Sequence, residues 1–196
     1  MKLWTPPGSC WGRSVRSWTA IARRIRVPTG FVLVVVYLWL AKPGAHSLIL
    51  GVVFIIVGLV IRGVASGHLR KNEQLATSGP YAYTRNPLYL GSLVIATGFT
   101  IAARSLWIAF ILIAVFAVIY LPVIRSEEND LGELFPWEFA KYARRVPRLV
   151  PRFRKSSGAR APFSWNLYCK HREYNASIGS AAILAVLMAK MLWGSR

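Results

Sequence analysis

Long uncharged blocks alternate with short basic segments along this chain. A bilayer is crossed by about 20 apolar residues in a helix, and the first block is shorter than that. The last block is diluted by Ser177, Gly179 and Ser180 and contains Lys190. We expect spans at about 27–41, 47–65, 87–103, 106–124 and 176–193. The pattern therefore predicts an all-α fold: an integral membrane helical bundle of about five transmembrane helices, in which the first two spans form a tight antiparallel hairpin.

Composition favours a membrane protein over a soluble one. Of the 196 residues, 55% are hydrophobic and 16% are charged, whereas about 25% are charged in a typical soluble domain. The formal net charge is +18, which is also typical of nucleic-acid-binding proteins. Those proteins do not need uncharged blocks of membrane length, so we expect no nucleic-acid partner. The cysteines and histidines are scattered without metal-ligand spacing, so we predict no metal site.

The basic residues lie mainly on one side of the predicted membrane. Residues 1–26 carry six Lys and Arg, 62–86 carry four and 125–172 carry eleven, whereas the other side receives Lys42 and Arg104. The positive-inside rule then places the N-terminus and all three basic segments in the cytoplasm. The chain shows no eukaryotic sorting signal, so we expect the inner (cytoplasmic) membrane of a bacterium.

Three segments follow from this pattern. Residues 1–26 form a basic N-terminal segment that does not resemble a cleaved signal peptide; it is either an amphipathic stretch in the headgroup region or a disordered leader. Residues 27–154 form the membrane core. Residues 155–196 form a basic linker and a possible last transmembrane helix.

Two polar clusters stand at span ends on the same predicted side. Arg85 and Asn86 precede the third span, and Glu127 and Glu128 follow the fourth, so the topology allows the clusters to meet at one membrane surface. Five of the seven acidic residues fall within 127–138. This arrangement suits a ligand that is zwitterionic or partly cationic. The alternative is a solvated helix end with internal salt bridges.

The string Gly-Pro-Tyr-Ala-Tyr-Thr-Arg-Asn-Pro-Leu-Tyr-Leu-Gly at 79–91 closely resembles the signature of the isoprenylcysteine carboxyl methyltransferase family and its bacterial relatives, which also includes phospholipid methyltransferases. The resemblance continues through Glu127-Glu128 to Tyr142 and Arg-Val-Pro-Arg at 145–148, and covers roughly residues 60–152. It implies a membrane methyltransferase that uses S-adenosylmethionine without a Rossmann domain, and no G-x-G-x-x-G follows a strand pattern here. It also implies a cytoplasmic cofactor pocket and a lipophilic substrate that enters from the bilayer.

The resemblance gives the matched residues roles in cofactor binding. Arg85 is expected to pair with the cofactor carboxylate, or else it snorkels at the interface. Asn86 stands where the best-known members carry histidine; because it cannot titrate near neutral pH, we expect it to bind cofactor and not to shuttle protons. The expected cofactor contacts are Tyr83, Arg85, Asn86, Pro87, Tyr89, Leu90, Gly91, Glu127, Glu128, Tyr142 and Arg148.

The expected catalytic residues are Arg125 and Glu128. A carboxylate acceptor needs only a cation to hold it, for which Arg125 is the candidate, whereas an amine acceptor must lose a proton, for which a glutamate is the candidate base. One of Glu127 and Glu128 is expected to hold the cofactor ammonium or ribose, and the other to organise Arg125 or Arg148. The basic surroundings favour O-methylation of a carboxylate on an isoprenoid or lipid-like small molecule or lipidated partner. The alternatives are an NADPH-dependent membrane reductase of sterol-reductase-like architecture and a non-enzymatic membrane scaffold.

Overall fold

The computed structural model describes Ile21 and residues 29–70, 73–152 and 162–194. No strand occurs in these ranges, so the predicted all-α class is confirmed. The predicted N-terminal segment 1–26 lies outside the described residues except for Ile21, as do residues 155–161 of the basic linker. The helices are α1 Thr29–Leu40, α2 Ala45–Ser66, α3 Pro87–Ala103, α4 Leu106–Leu134, α5 Pro136–Arg145, α6 Trp165–Lys170 and α7 Tyr174–Gly194, with a 3-10 turn at Gly79–Ala82.

Three of the helices, α2, α4 and α7, are long and apolar enough to cross a membrane. Two shorter apolar helices, α1 and α3, accompany them. Large apolar side chains such as Trp39 and Phe110 are exposed on the outside of these helices, as expected where the solvent is lipid. The chain is an integral membrane protein, and the structure agrees with the predicted bounds of the third span, 87–103.

The helix of the fourth span extends beyond the predicted end near residue 124, since α4 runs on past Pro122 to Leu134. The proline has no N–H to donate and normally breaks a helix. Here a π-helical turn at Phe116–Tyr120 lies just before the proline. Its wider hydrogen-bond spacing lets the helix continue although Pro122 donates no backbone hydrogen bond. The acidic stretch 127–134 therefore continues the helix, which at 1.5 Å per residue is about 43 Å long. That length exceeds the bilayer's hydrocarbon core of about 30 Å and carries the glutamates beyond it.

Glycines set the contact between the antiparallel helices α2 and α3. A Cβ atom on Gly51 would lie 2.6 Å from the carbonyl oxygen of Gly98, and one on Gly58 would lie 2.7 Å from that of Gly91. Small residues at such crossings let helix backbones approach closely in a membrane. The contact fixes the N-terminus of α3, where the motif lies, beside the last turns of α2.

The opposite end of the bundle is closed by polar contacts to backbone. Tyr37 Oη donates to the carbonyl of Phe99 at 2.9 Å. Lys190 Nζ donates to the carbonyl of Leu38 at 2.7 Å, one of the last carbonyls of α1, which have no partner within their own helix. The lysine that dilutes the last predicted span therefore caps α1 and attaches α7 to it.

Candidate active site

A cavity of about 780 Å³ opens at the end of the bundle where α3 begins and the acidic part of α4 lies. Sites for small molecules typically measure about 300–1,000 Å³. Helices α2 and α5 and the residues just before α7 complete its walls. Among the expected cofactor contacts, those that line it are Arg85, Asn86, Tyr89, Glu127, Glu128 and Tyr142.

Four side chains meet at one wall of this cavity, and we call Arg85, Asn86, Glu128 and Arg148 the Glu128 cluster. Glu128 is 4% exposed. Its Oε1 accepts from Asn86 Nδ2 at 2.8 Å, and its Oε2 lies 2.8 Å from Arg148 Nε and 3.5 Å from Arg85 Nη1. One carboxylate thus holds two guanidinium groups, and the cluster carries a surplus positive charge.

Arg85 has donors that the cluster does not use. Its side chain is 14% exposed, and its buried Nε has no hydrogen-bond partner among the described residues. The guanidinium carbon lies 5.9 Å from the centre of the Phe139 ring, within the range of a cation–π contact. A buried guanidinium with an unpaired N–H beside a cavity is suited to an anionic ligand.

Backbone contacts hold the motif against the segment that follows α5. The amide of Arg85 donates to the carbonyl of Pro147 at 2.9 Å, and the amide of Arg152 donates to the carbonyl of Tyr83 at 3.0 Å. Asn86 Nδ2 also donates to the carbonyl of Arg148 at 3.0 Å. Asn86 therefore orients Glu128 and the post-α5 segment at the same time.

Helix α5 covers the cavity with aromatic side chains. Tyr142 is buried and its hydroxyl donates to the carbonyl of Tyr81 at 2.7 Å. Burial raises the pKa of Tyr142 well above its usual value; nearby Arg85 lowers that pKa and Glu128 raises it further, but both effects are smaller. The phenol therefore stays a neutral hydrogen-bond donor across the physiological range. Phe139 packs beside Tyr142, with ring centres 6.5 Å apart.

The other expected site residues lie away from the cavity lining. Pro87 is buried at the start of α3, and Gly91 is buried at the helix crossing. Tyr83 and Leu90 are half-buried. Arg148 is 44% exposed at its side chain and reaches the cavity through Glu128.

Of the two expected catalytic residues, Glu128 lines the cavity, whereas Arg125 is exposed on α4 outside the cavity lining. The ion pairs of Glu128 go to Arg85 and Arg148. Glu127 is half-buried on the cavity wall, and its carboxylate takes no part in the hydrogen bonds and ion pairs of the Glu128 cluster. The structure thus separates two glutamates that the sequence alone leaves equivalent.

A second polar group lines the cavity and is absent from the sequence predictions; we call Arg62, Ser92 and Glu173 the Arg62 cluster. Arg62 Nε and Nη2 donate to the two carboxylate oxygens of Glu173 at 3.0 and 2.9 Å. Arg62 Nη1 donates to Ser92 Oγ. Two features of the sequence indicate this pair: Arg62 lies inside an otherwise uncharged span, and Glu173 lies shortly before the last span. Ionisable residues in a span usually have a charged partner.

The sequence model of the phospholipid methyltransferase family matches residues 25–137, which is more than half of the chain. The chain belongs to the phospholipid methyltransferase family. The matched segment of this family member contains α1–α4, with Arg62, Asn86 and Glu128 in it, and ends at the start of α5.

Three curated relatives extend this picture. The cobalt-zinc-cadmium resistance protein CzcN of Cupriavidus metallidurans is 40% identical over 106 residues, which are 54% of this chain and 47% of that protein. The nickel-cobalt-cadmium resistance protein NccN of Alcaligenes xylosoxydans xylosoxydans is 45% identical over 83 residues, 42% and 38% of the two chains. Protein-S-isoprenylcysteine O-methyltransferase B of Arabidopsis thaliana is 28% identical over 118 residues, 58% and 60%.

The chain thus matches between about two fifths and three fifths of the length of these relatives. No solved structure matches it.

Proposed function

We propose that this family member is an S-adenosylmethionine-dependent methyltransferase that acts on a lipophilic acceptor, with its cofactor bound in the large cavity at the Glu128 cluster. The observation that carries the proposal is the buried Glu128 carboxylate, held at 2.8 Å by both Asn86 and Arg148 at the wall of a cavity large enough for a nucleoside. Burying charged groups is costly unless they are paired, and a cavity with a few convergent polar groups is the expected form of a binding site.

The residues present fit the chemistry of this cofactor. Arg85 has a buried, unpaired N–H and a planar fork that matches an amino-acid carboxylate. The carboxylate of Glu127, on the same cavity, matches an ammonium group or ribose hydroxyls. Tyr89 and Tyr142 line the cavity and offer ring faces against which an adenine can stack.

The residues of the cavity bind, orient and exclude water. When bound, S-adenosylmethionine supplies an electrophilic methyl group on a sulfonium, which a carboxylate acceptor can take up without a general base. Alignment of the reactants is then the main task, and positioning is worth about 7–11 kcal/mol for well-oriented groups. Asn86 and Arg148 fix Glu128, Glu128 fixes Arg85, and the aromatic wall from α5 shields the site from water.

The cavity end of the bundle is proposed to face the cytoplasm of a bacterium, where the cofactor is made. In support, the two basic segments that sequence analysis assigns to this side (62–86 and 125–172) carry fifteen of the 25 Lys and Arg. The opposite end presents Lys42, Arg104 and Lys190, and Lys190 is occupied in capping α1. The positive-inside rule favours this orientation.

Binding of radiolabelled S-adenosylmethionine to the purified protein in detergent tests the proposal. We expect saturable binding by the wild type, lost in Arg85→Ala and Glu128→Ala and kept in the matched controls Arg144→Ala and Glu133→Ala, whose side chains are exposed outside the cavity. Undiminished binding in both site variants would reject the site. NADPH serves as the competing ligand: binding of NADPH in place of S-adenosylmethionine would favour the reductase alternative.

A part in metal resistance is a second candidate function, favoured by the names of the two bacterial relatives. The described ranges hold no group of three or more His, Cys, Asp or Glu placed to ligate a metal ion. We propose that, if this protein contributes to metal resistance, it does so through methyl transfer. Growth of an expressing strain on cadmium tests this: wild-type protein should raise tolerance and Glu128→Gln should not, whereas equal tolerance with both would separate resistance from the cavity.

A further inference from the structure

Arg62 provides a half-buried cation in the cavity wall; its side chain is 24% exposed. Arg62 lies four residues before the end of α2, and the aliphatic part of its side chain packs over Gly91. A Cβ atom on Gly91 would lie 2.6 Å from Arg62 Cγ. Two of its nitrogens hold both oxygens of Glu173, while the third donates to Ser92 and, at 3.4 Å, to the carbonyl of Leu88. This paired geometry is the one by which arginine recognises a carboxylate.

The carboxylate that Arg62 holds comes from a turn. Glu173 stands between α6 and α7, outside the segment that matches the family. The residue before it, Arg172, has φ +53°, a left-handed conformation that disfavours a residue with a side chain. Strained backbone of this kind concentrates at ligand clamps and switches. Glu173 is thus presented to Arg62 by a strained turn.

The Arg62 cluster lies between the Glu128 cluster and an apolar cavity of about 210 Å³. Along α3, Asn86 and Ser92 line the large cavity, and Ala96, one turn further, lines the apolar one. Along α1, Gly30 lines the large cavity and Leu33 lines the apolar cavity. A molecule with a charged head at Arg62 and an apolar tail would therefore have space for both parts.

We propose that Arg62 is the anion subsite for the carboxylate of an amphiphilic acceptor, and that Glu173 occupies this subsite as a tethered substitute until the acceptor displaces it. The proposal deepens the proposed function, on which it rests in naming the ligand an acceptor. It also moves the acceptor-holding cation from Arg125, which is exposed, to an arginine on the cavity.

Exchange of one carboxylate for another explains why a satisfied ion pair can serve as a binding site. Removing a partner from a buried pair is strongly destabilising because the remaining charge is uncompensated. When an incoming carboxylate takes the place of Glu173, Arg62 stays paired and the Glu173 side chain moves into the large cavity that it already lines. The tethered group competes at an effective concentration in the millimolar range, so the acceptor binds more weakly than it would to a free Arg62.

Two substitutions are expected to act in opposite directions. Glu173→Gln removes the competitor and should tighten binding of radiolabelled palmitate to the protein in phosphatidylcholine nanodiscs by about tenfold, which corresponds to about 1.4 kcal/mol. Arg62→Gln removes the cation and should abolish that binding. A purely structural staple between α2 and α7 predicts that both variants weaken binding, and that result would overturn the proposal.

Matched probes and variants define the ligand class. Hexadecanol, which has the tail without the charge, should bind wild type and Glu173→Gln alike. Phosphatidic acid supplies an anionic lipid headgroup; if it displaces palmitate at equal concentration, the carboxylate assignment is wrong. Should Glu173→Gln not fold, Glu173→Asp, whose shorter side chain loosens the pair, should still tighten palmitate binding, and Arg144→Gln serves as the neutral control.

The two proposals fail separately. Palmitate binding needs no cofactor, so loss of S-adenosylmethionine binding with an intact palmitate series rejects the proposed function and leaves the anion subsite standing. Normal cofactor binding with no difference between palmitate and hexadecanol rejects the subsite alone.

Discussion

The two polar clusters of the cavity differ in charge balance. In the Glu128 cluster one carboxylate holds two arginines, and Arg85 keeps an unused buried N–H. In the Arg62 cluster one arginine meets one carboxylate and its remaining nitrogen is taken by Ser92 and a carbonyl. On our proposals, the first cluster binds an anion directly and the second binds one by exchange. Neighbouring ionic groups in one cavity would then suit two different ligands.

The clusters also differ in origin. All members of the Glu128 cluster except Arg148 lie within the family segment, whereas the Arg62 cluster depends on Glu173 from outside it. A family-wide feature is expected at the first cluster. The second is expected to vary between members that share the same core; on our proposals, acceptor choice would change there while the Glu128 cluster stays the same.

The largest expected effect comes from breaking the helix crossing that supports both clusters. Gly58→Leu places a side chain where a Cβ already lies 2.7 Å from the Gly91 carbonyl oxygen, so α2 and α3 must separate. We expect loss of cofactor and palmitate binding together, with a melting temperature in detergent lowered by about 10 °C or more, since overpacking costs about 1–3 kcal/mol or more. Gly179→Leu is the control, because Gly179 on α7 has nothing within 4 Å; equal melting temperatures would contradict the crossing's role.

Glu128→Gln should weaken ligand binding at the Glu128 cluster while leaving binding at the Arg62 cluster nearly unchanged. The variant leaves the largely buried guanidinium of Arg85 and the half-exposed one of Arg148 without their carboxylate. Breaking a buried pair costs about 3–5 kcal/mol, and we expect cofactor affinity to fall at least about 100-fold. Palmitate affinity should change less than about threefold because Arg62 keeps Glu173. Isothermal titration with each ligand measures both, and parallel loss of the two would show that the clusters act as one site.

Much of this arrangement follows from the sequence, for identifiable reasons. The bounds of α3 follow from Arg85-Asn86-Pro87 at its start and Arg104-Ser105 after it, and the contact of Asn86 with Glu128 follows from two span ends on one side. The continuation of α4 from the predicted end near residue 124 to Leu134 does not follow from hydropathy, because the added residues are polar and the π turn that accommodates Pro122 leaves no simple pattern. The Arg62–Glu173 pair joins residues 111 positions apart and depends on how α7 packs, which hydropathy does not specify.

Asn86→Ala should have a smaller effect within the Glu128 cluster. Its amide donates two hydrogen bonds, to Glu128 at 2.8 Å and to the carbonyl of Arg148 at 3.0 Å. Glu128 keeps both arginines in the variant, so we expect about a tenfold loss of cofactor affinity, in line with about 1.5 kcal/mol for a bond to a charged group. Ser126→Ala on α4 provides a comparison outside the cavity lining. A loss as large as that of Glu128→Gln would mean that Asn86 itself contacts the ligand.

The smallest expected effect concerns the aromatic wall and depends on pH. The folded protein raises the pKa of Tyr142 above its unfolded value of about 10, so the neutral phenol is favoured by folding. That contribution is fully present below about pH 10 and is lost as the pH rises above it, because the unfolded chain then releases a proton that the folded chain retains.

Tyr142→Phe removes the hydrogen bond to the Tyr81 carbonyl, about 1 kcal/mol, and should lower the melting temperature at pH 7. The variant should also lose less stability than the wild type between pH 10 and about 11. Burial also raises the pKa of Tyr81, so both proteins lose some stability at alkaline pH for that reason. The difference between their stability–pH profiles therefore measures the contribution of Tyr142. Identical profiles would place the Tyr142 hydroxyl in water, and not against the carbonyl that closes the Glu128 side of the cavity.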